Sequence, residues 1–247
     1  MKALETLSKS PLFAGVGGQF LREIAGETVV ENWPKHRLIA GPAETARRFR
    51  IIVQGHVKIV RRNSDGRELT LWLLGPGDGF DIASLLDGQS HAVEAWTVDE
   101  TTTLSARLAS LRRGLERHPP FALAAHRYVA GKLRELTELA TDLALHDTST
   151  RLAHVLLRGI GPRASSQHPP LDPLRDLSRD DLASLVGTVR VVVSRALADM
   201  RREGMLTLHR GELRVASVKR LLLHAERRLE RARLLREARG ATLHTHK

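Results

Sequence analysis

The sequence contains no cysteine. That removes disulfides, a cysteine nucleophile, a thiol redox switch and any cysteine-ligated zinc or iron–sulfur cluster. No run of about 18 apolar residues occurs, so no membrane-spanning helix is expected. Residues 1–11 lack the apolar stretch of a signal peptide, and the cytoplasm is the expected compartment. Enzyme signatures are missing as well: there is no G-x-S-x-G, Walker A or zincin motif. Lysine is scarce. Of the 39 basic residues only 7 are lysine, against 32 arginines.

What is present is a globular chain of 247 residues, 42% hydrophobic and 27% charged, enough for one large domain or two ordinary ones. The net charge of +11 is unevenly placed. Residues 1–177 carry 23 basic and 20 acidic groups, whereas residues 178–247 carry 16 and 8. An arginine-biased genome accounts for the choice of arginine over lysine. It does not account for the clustering, which suits a polyanion partner whose phosphates shed counterions on binding.

Along the chain, residues 4–26 read as short helical pieces broken by Pro11 and by Gly15, Gly17 and Gly18. Between about 27 and 106, short β-type runs (Thr28–Trp33, Arg50–Val53, Val57–Val60, Leu69–Leu74) alternate with turn signals at spacings near ten residues. That pattern predicts a small antiparallel barrel or roll. A short helix over 107–118 ends at Pro119-Pro120, and one long helix follows over 121–145. Val129, Leu133, Leu136, Ala140 and Leu143 are spaced 4, 3, 4, 3 on it. This is a heptad seam, and the charged flanks Lys132, Arg134, Glu135 and Glu138 favour a homodimer seam over a helix packed on its own domain. A second helix covers 148–158, and 159–173 reads as a linker. Residues 218–239 form a basic helix ahead of a tail whose His244 and His246 are tail composition rather than a metal site.

The segment 177–215 is the most informative. Ser178 followed three residues later by Asp181 is a capping box. Gly187 supplies a turn, a second helix runs from about 188 to 202, and Gly204 takes the left-handed cap. Residues 205–209 and 212–215 flank Arg210-Gly211 as a hairpin. The order is that of a winged helix-turn-helix. On a helical wheel Val193, Ala196, Leu197 and Met200 form a core face, while Arg190, Val191, Ser194, Arg195, Ala198 and Arg201 form an exposed basic arc. A solvated basic face has the same composition. The preceding helix, turn and wing favour a helix that enters the major groove, where arginine grips guanine and small residues let the backbone approach.

The sequence resembles the Crp/Fnr family of transcription regulators over about residues 5–220. The resemblance is carried by Gly187-Thr188-Val189-Arg190-Val191-Val192-Val193-Ser194-Arg195, by His146-Asp147-Thr148-Ser149-Thr150-Arg151-Leu152-Ala153, and by the turns Gln54-Gly55-His56-Val57-Lys58-Ile59 and Leu74-Gly75-Pro76-Gly77-Asp78. It implies an α+β chain: an antiparallel β-roll sensor of the cyclic-nucleotide-binding kind (1–120), a dimerisation helix and hinge (121–158), and a winged helix-turn-helix with a basic C-terminal helix (159–247). It implies a homodimer on a two-fold operator in double-stranded DNA, with RNA polymerase as a further partner. The DNA-binding residues it implies are Thr188, Arg190, Val191, Ser194, Arg195 and Arg201. Arg190 and Arg195 fall on two operator-contacting arginines of the family, and Val191 stands where the catabolite activator has a glutamate.

The sensor departs from the cyclic-nucleotide pattern. Where the resemblance expects Phe-Gly-Glu the chain has Phe80-Asp81-Ile82, and Ser90-His91-Ala92 stands near the phosphate position without an arginine. A cyclic phosphate would lack its bidentate cation. Leu136 and Thr137 stand where adenine-contacting polar residues are expected. Neither cAMP nor cGMP is therefore expected as effector. Haem stays open as a cofactor, because relatives that sense gas share a Gly-His-Val turn like Gly55-His56-Val57. His36, His56, His91, His126 and His146 are available, and none is assigned. The chain is not expected to be an enzyme. The competing reading is a cupin-like β-roll enzyme or ligand-binding protein with an appended nucleic-acid module. It would need a histidine–carboxylate cluster on the strands, and His36, His56 and His91 are scattered without an H-x-H pair. A nonspecific nucleoid-type binder would explain the charge but not the roll and seam.

Overall fold

A computed structural model describes residues 2–42, 47–160, 174–175, 177–209 and 212–226. The chain divides into two compact units, Met1–Leu139 and Ala140–Lys247. The expected Arg210-Gly211 turn, most of the 159–173 linker, the basic helix beyond Glu226 and the tail lie outside the described residues.

The first unit opens with α1 (Lys2–Lys9), a 3₁₀ turn at Pro11–Phe13 and α2 (Gly18–Glu27). Eight strands follow: β1 (Val29–Trp33), β2 (Leu38–Ala40), β3 (Arg48–Gln54), β4 (Val57–Arg62), β5 (Glu68–Leu74), β6 (Gly79–Phe80), β7 (Glu94–Thr97) and β8 (Thr101–Arg107). They pair antiparallel in two four-stranded sheets, ordered β1-β8-β3-β6 and β2-β7-β4-β5. This is the expected roll. Ile59 and Val60 are both buried although neighbours on a strand should face opposite ways. The β4–β5 register jumps between them, from Ile59 opposite Trp72 to Val60 opposite Thr70, with Leu71 the extra residue on β5. Ile39, Ile52, Val57, Ile59, Leu74, Phe80, Val93 and Ala95 form one core cluster.

The second cluster joins the roll to its helices. Leu7, Phe13, Phe20, Ile24, Phe49, Leu104, Leu111, Phe121 and Tyr128 share it. Phe13 stacks on Phe121 with centroids 5.0 Å apart. Leu108–Arg117 forms α4, and Pro119–Leu145 forms α5. Pro119 and Pro120, read as the stop of α4, also open α5. A proline in the first turn forfeits no hydrogen bond because that N–H has no helical acceptor. One short helix, α3 (Ile82–Asp87), was not expected.

The second unit holds the end of α5, α6 (Thr148–Arg158), α7 (Arg179–Val186), α8 (Arg190–Arg202), the hairpin β9 (Leu206–His209) and β10 (Glu212–Val215), and a ninth helix over 218–226. Leu152, Leu156, Leu182, Val186, Val193, Leu197, Met200, Leu206, Val215 and Leu221 are buried.

Gly55 is a position that only glycine fits. Its φ is +83°, and a Cβ there would lie 2.5 Å from the Glu100 carbonyl oxygen and 2.6 Å from Asp99 Oδ1. Asp99 is held because it accepts from the His56 N–H at 2.7 Å. Gly55→Ala should destabilise the roll by about 2 kcal/mol or more, from left-handed strain plus the displaced backbone. Urea unfolding of the two proteins measures it.

Candidate nucleic-acid interface

The helix-turn-helix is built by local chemistry that the sequence announced. The Ser178 side chain accepts from the Asp181 N–H at 3.1 Å, and Asp181 Oδ2 accepts from the Ser178 N–H at 3.0 Å. Both first-turn donors are thus satisfied, and Asp180 and Asp181 complement the helix dipole. Gly187 ends α7 in the left-handed region (φ +68°, ψ 48°), with its N–H donating to α7 carbonyls. The Thr188 N–H donates to the Ala183 carbonyl at 2.9 Å. The turn is therefore closed before α8 begins. Gly204, also left-handed at φ +68°, ends α8.

The two faces of α8 separate as the wheel requires. Val193, Leu197 and Met200 are buried and Ala196 is half-buried. Arg190, Val191, Ser194, Arg195, Ala198 and Arg201 are exposed, and Thr188 is half-buried. Arg190 pairs with Asp180 at 3.3 Å, but both side chains are open to solvent, so the pair is weak and easily exchanged. Arg195 and Arg201 have no ion pair among the described residues. Val189, Val191 and Val192 are exposed by 57%, 58% and 37%. Only Val191 was singled out from the sequence. The wing follows in β9 and β10, paired from Glu212 opposite His209 to Val215 opposite Leu206.

The seam residues lie on α5. Leu133 is 65% exposed, Ala140 is exposed, and Val129, Leu136 and Leu143 are half-buried. In the roll, the Tyr128 hydroxyl accepts from the Gly79 N–H at 3.1 Å and lies 2.8 Å from its carbonyl oxygen and 3.2 Å from Asp78 Oδ1. Burial and the Asp78 charge push the phenol far above its ordinary range, so it stays neutral. Sequence reasoning missed this clamp.

The five candidate histidines have separate surroundings. His56 Nδ1 lies 2.7 Å from Asp99 Oδ2, His91 Nε2 is 3.5 Å from Asp81 Oδ1, and His126 Nδ1 contacts the Ala122 carbonyl at 2.8 Å. His36 occupies a turn at φ +59°. His146 meets Asp142, and so does His154, which sequence reasoning did not single out.

Two family models match the chain: a cyclic nucleotide-binding domain over residues 30–118 and a Crp-like helix-turn-helix domain over 150–223. A CRP-like cAMP-activated global transcriptional regulator of Mycobacterium tuberculosis is 30% identical over 93% of this chain and 99% of its own length. The chain belongs to the Crp/Fnr family. It is a DNA-binding transcription regulator with a cyclic-nucleotide-binding-like roll and a winged helix-turn-helix. The global nitrogen regulator of a Nostoc species is 29% identical, over 76% of this chain and 85% of that protein. Among solved structures, FixK2 from Bradyrhizobium japonicum superposes with a TM-score of 0.69 at 26% identity, covering 78% of this chain and 95% of its own. Relatives named for cAMP and for nitrogen regulation stand side by side, so membership fixes no effector. No helix among the described residues is long and apolar enough to cross a membrane.

In the roll, Asp81 caps α3 at φ +71°, a conformation that favours glycine. Burial holds its carboxyl above the usual carboxylate range, with His91 and Arg50 pulling the other way. A carboxyl raised in the folded state costs nothing below its unfolded pKa, and the full cost is reached once pH exceeds the folded value. Asparagine tolerates the left-handed region and carries no charge. Asp81→Asn should therefore stabilise the protein at about pH 7.5, with the gain shrinking toward about pH 4. Urea midpoints at the two pH values test it.

Proposed function

We propose that the chain acts as a homodimer paired through the α5 seam, with 1–120 as sensor, 121–158 as dimerisation helix and hinge, and 159–247 as the DNA-reading domain. Thr188, Arg190, Val191, Ser194, Arg195 and Arg201 carry the operator contacts. The observation that carries this reading is the exposed arc of α8, where arginines alternate with small and apolar side chains on a helix seated by a closed glycine turn. Arg190 and Arg195 take guanine edges or phosphates, and Val191 takes a thymine methyl. A two-fold dimer places half-sites about 34–36 Å apart, one helical turn of DNA. RNA polymerase is the downstream partner, the chain is not an enzyme, and the compartment is the cytoplasm.

The effector is not a cyclic nucleotide in this reading. Ile82 replaces a carboxylate that would accept from a ribose, and the buried Asp81 carboxylate beside His91 opposes a phosphate. Calorimetry with cAMP and cGMP should show no binding at micromolar protein. Haem remains a candidate effector, and the absorbance of the purified protein with added haem and nitric oxide tests it.

Arg190→Ala should cost about 1–3 kcal/mol on the specific operator, concentrated at one G·C pair. Val191→Glu should move the preference at its base pair from T·A toward C·G, because a carboxylate accepts from cytosine N4 and valine does not. Selection from randomised half-sites with wild type and Val191→Glu decides it; identical preferences would mean that residue 191 faces no base.

Replacing Leu133 and Leu136 together by glutamate should give monomers by sedimentation. Operator affinity should fall by about 10²-fold or more, because two linked half-sites become one. A wild-type protein that stays monomeric both free and on DNA would overturn the dimer.

A further inference from the structure

Where α5 gives way to α6, two helical turns face each other with an unusual donor set. Asp142 lies in the last turn of α5, and His146 follows directly after that helix, four residues on. His154 and Arg158 stand four apart on α6. His154 Nδ1 lies 2.8 Å and His146 Nδ1 3.1 Å from the same oxygen, Asp142 Oδ1. The two imidazoles meet edge to face at 5.1 Å. The other oxygen, Oδ2, accepts from Arg158 at 3.3 Å. The Asp142 side chain is only 8% exposed, and those of His146 and His154 are 11% and 22% exposed.

We propose that Asp142, His146 and His154 form a binding site for a divalent transition-metal ion of the zinc class. The reason is convergence. Two nitrogens and one carboxylate oxygen, from the end of α5, the turn after it and α6, lie within 4.8 Å of one another. Zinc takes imidazole nitrogen at about 2.0–2.1 Å and carboxylate oxygen at about 2.0–2.2 Å, so its ligand atoms sit about 3.3 Å apart. The two nitrogen–oxygen separations are already close to that, and small side-chain rotations bring the rest. Nitrogen and oxygen donors with no sulfur select zinc-like ions over soft ones. Three protein ligands leave a fourth position for water. Arg158 plays the outer role: it holds Oδ2 and orients Oδ1 toward the ion. Its positive charge also limits the affinity.

The surroundings favour a built site. Asp147 caps α6 by accepting from the Thr150 N–H at 2.9 Å, and Arg151 donates to the His146 carbonyl at 3.2 Å. The corner is thus fixed around the donor set. An ion there would brace the end of α5 against α6. The site stands on this geometry and not on the operator reading, since metal is measured without DNA.

The test uses the full-length protein titrated with Co²⁺, followed by its visible absorption and displaced by Zn²⁺. One equivalent per chain is expected, with intense bands of a four-coordinate nitrogen–oxygen site. His154→Gln and His146→Gln should each weaken binding by about tenfold or more. Glutamine still donates to Asp142, so the fold is kept, and circular dichroism checks it. His244→Gln with His246→Gln should leave binding unchanged. Zinc should raise the melting temperature of wild type and not that of His154→Gln. X-ray absorption of zinc-loaded wild type, which needs no variant, should show two imidazole ligands. Absence of wild-type binding at about 100 μM metal, retention of full affinity in the His146→Gln/His154→Gln double variant, or loss of binding in the tail variant would each overturn the site.

Discussion

A 27-residue helix has to live in three environments at once. At 1.5 Å per residue, α5 is about 40 Å long, more than one face of a small roll can cover. Its first turns solve this by burial: Phe121, Ala124, Ala125 and Tyr128 are sealed against the roll, with the Tyr128 hydroxyl closing on the Gly79 peptide. From Val129 to Thr141 no residue is fully buried. Burial returns at Asp142, which is polar and held by two histidines and an arginine. The middle stretch therefore keeps apolar groups such as Leu133 half or fully in water, and nothing among the described residues covers them. That imbalance supports a second copy as the cover, because an apolar heptad seam is stabilised by a matching seam.

The turns show a second constraint, the use of left-handed backbone. Gly187 and Gly204 bracket α8, and each lets a helix stop without the Cβ penalty. Asp81 takes a similar conformation with a side chain, and adds a buried carboxylate. The first two positions are cheap and shape the DNA-binding unit. The third is costly, and it stands in the segment where the roll departs from the cyclic-nucleotide pattern.

Legibility in the sequence followed the range of the interactions. The capping box of Ser178 and Asp181, the glycines at 187 and 204 and the faces of α8 are set by residues within about one turn, and each was readable. The roll was readable as strands and turns, although not as two sheets, because pairing β1 with β8 joins residues 68 to 76 apart. The prolines at 119 and 120 were read only as the stop of α4, which does end at Arg117; their place in the first turn of α5 was missed, since a proline pair marks a helix start as well as a stop. Asp142 and His154 stayed hidden. They are twelve residues apart on two helices, and only the packing angle at the corner makes them neighbours. The Tyr128 clamp was hidden for the same reason.

The front of α8 is the place where stability and proposed function pull apart. Val189, Val191 and Val192 are exposed, yet valine is a poor choice for an exposed helix start. Val189 offers no side-chain oxygen to cap the first N–H groups. A serine or aspartate at 189 would stabilise the helix by about 1 kcal/mol. Core packing does not account for these residues, because Val193, Leu197 and Met200 already fill the buried face. An apolar, uncapped helix start flanked by Arg190 and Arg195 instead matches a groove whose wall offers phosphates and thymine methyls. In the proposed complex the uncapped N–H groups would face anionic oxygen rather than a side chain, and DNA would cover the valines. A capping aspartate would bring negative charge toward those phosphates, so the substitution that helps the isolated fold opposes the complex.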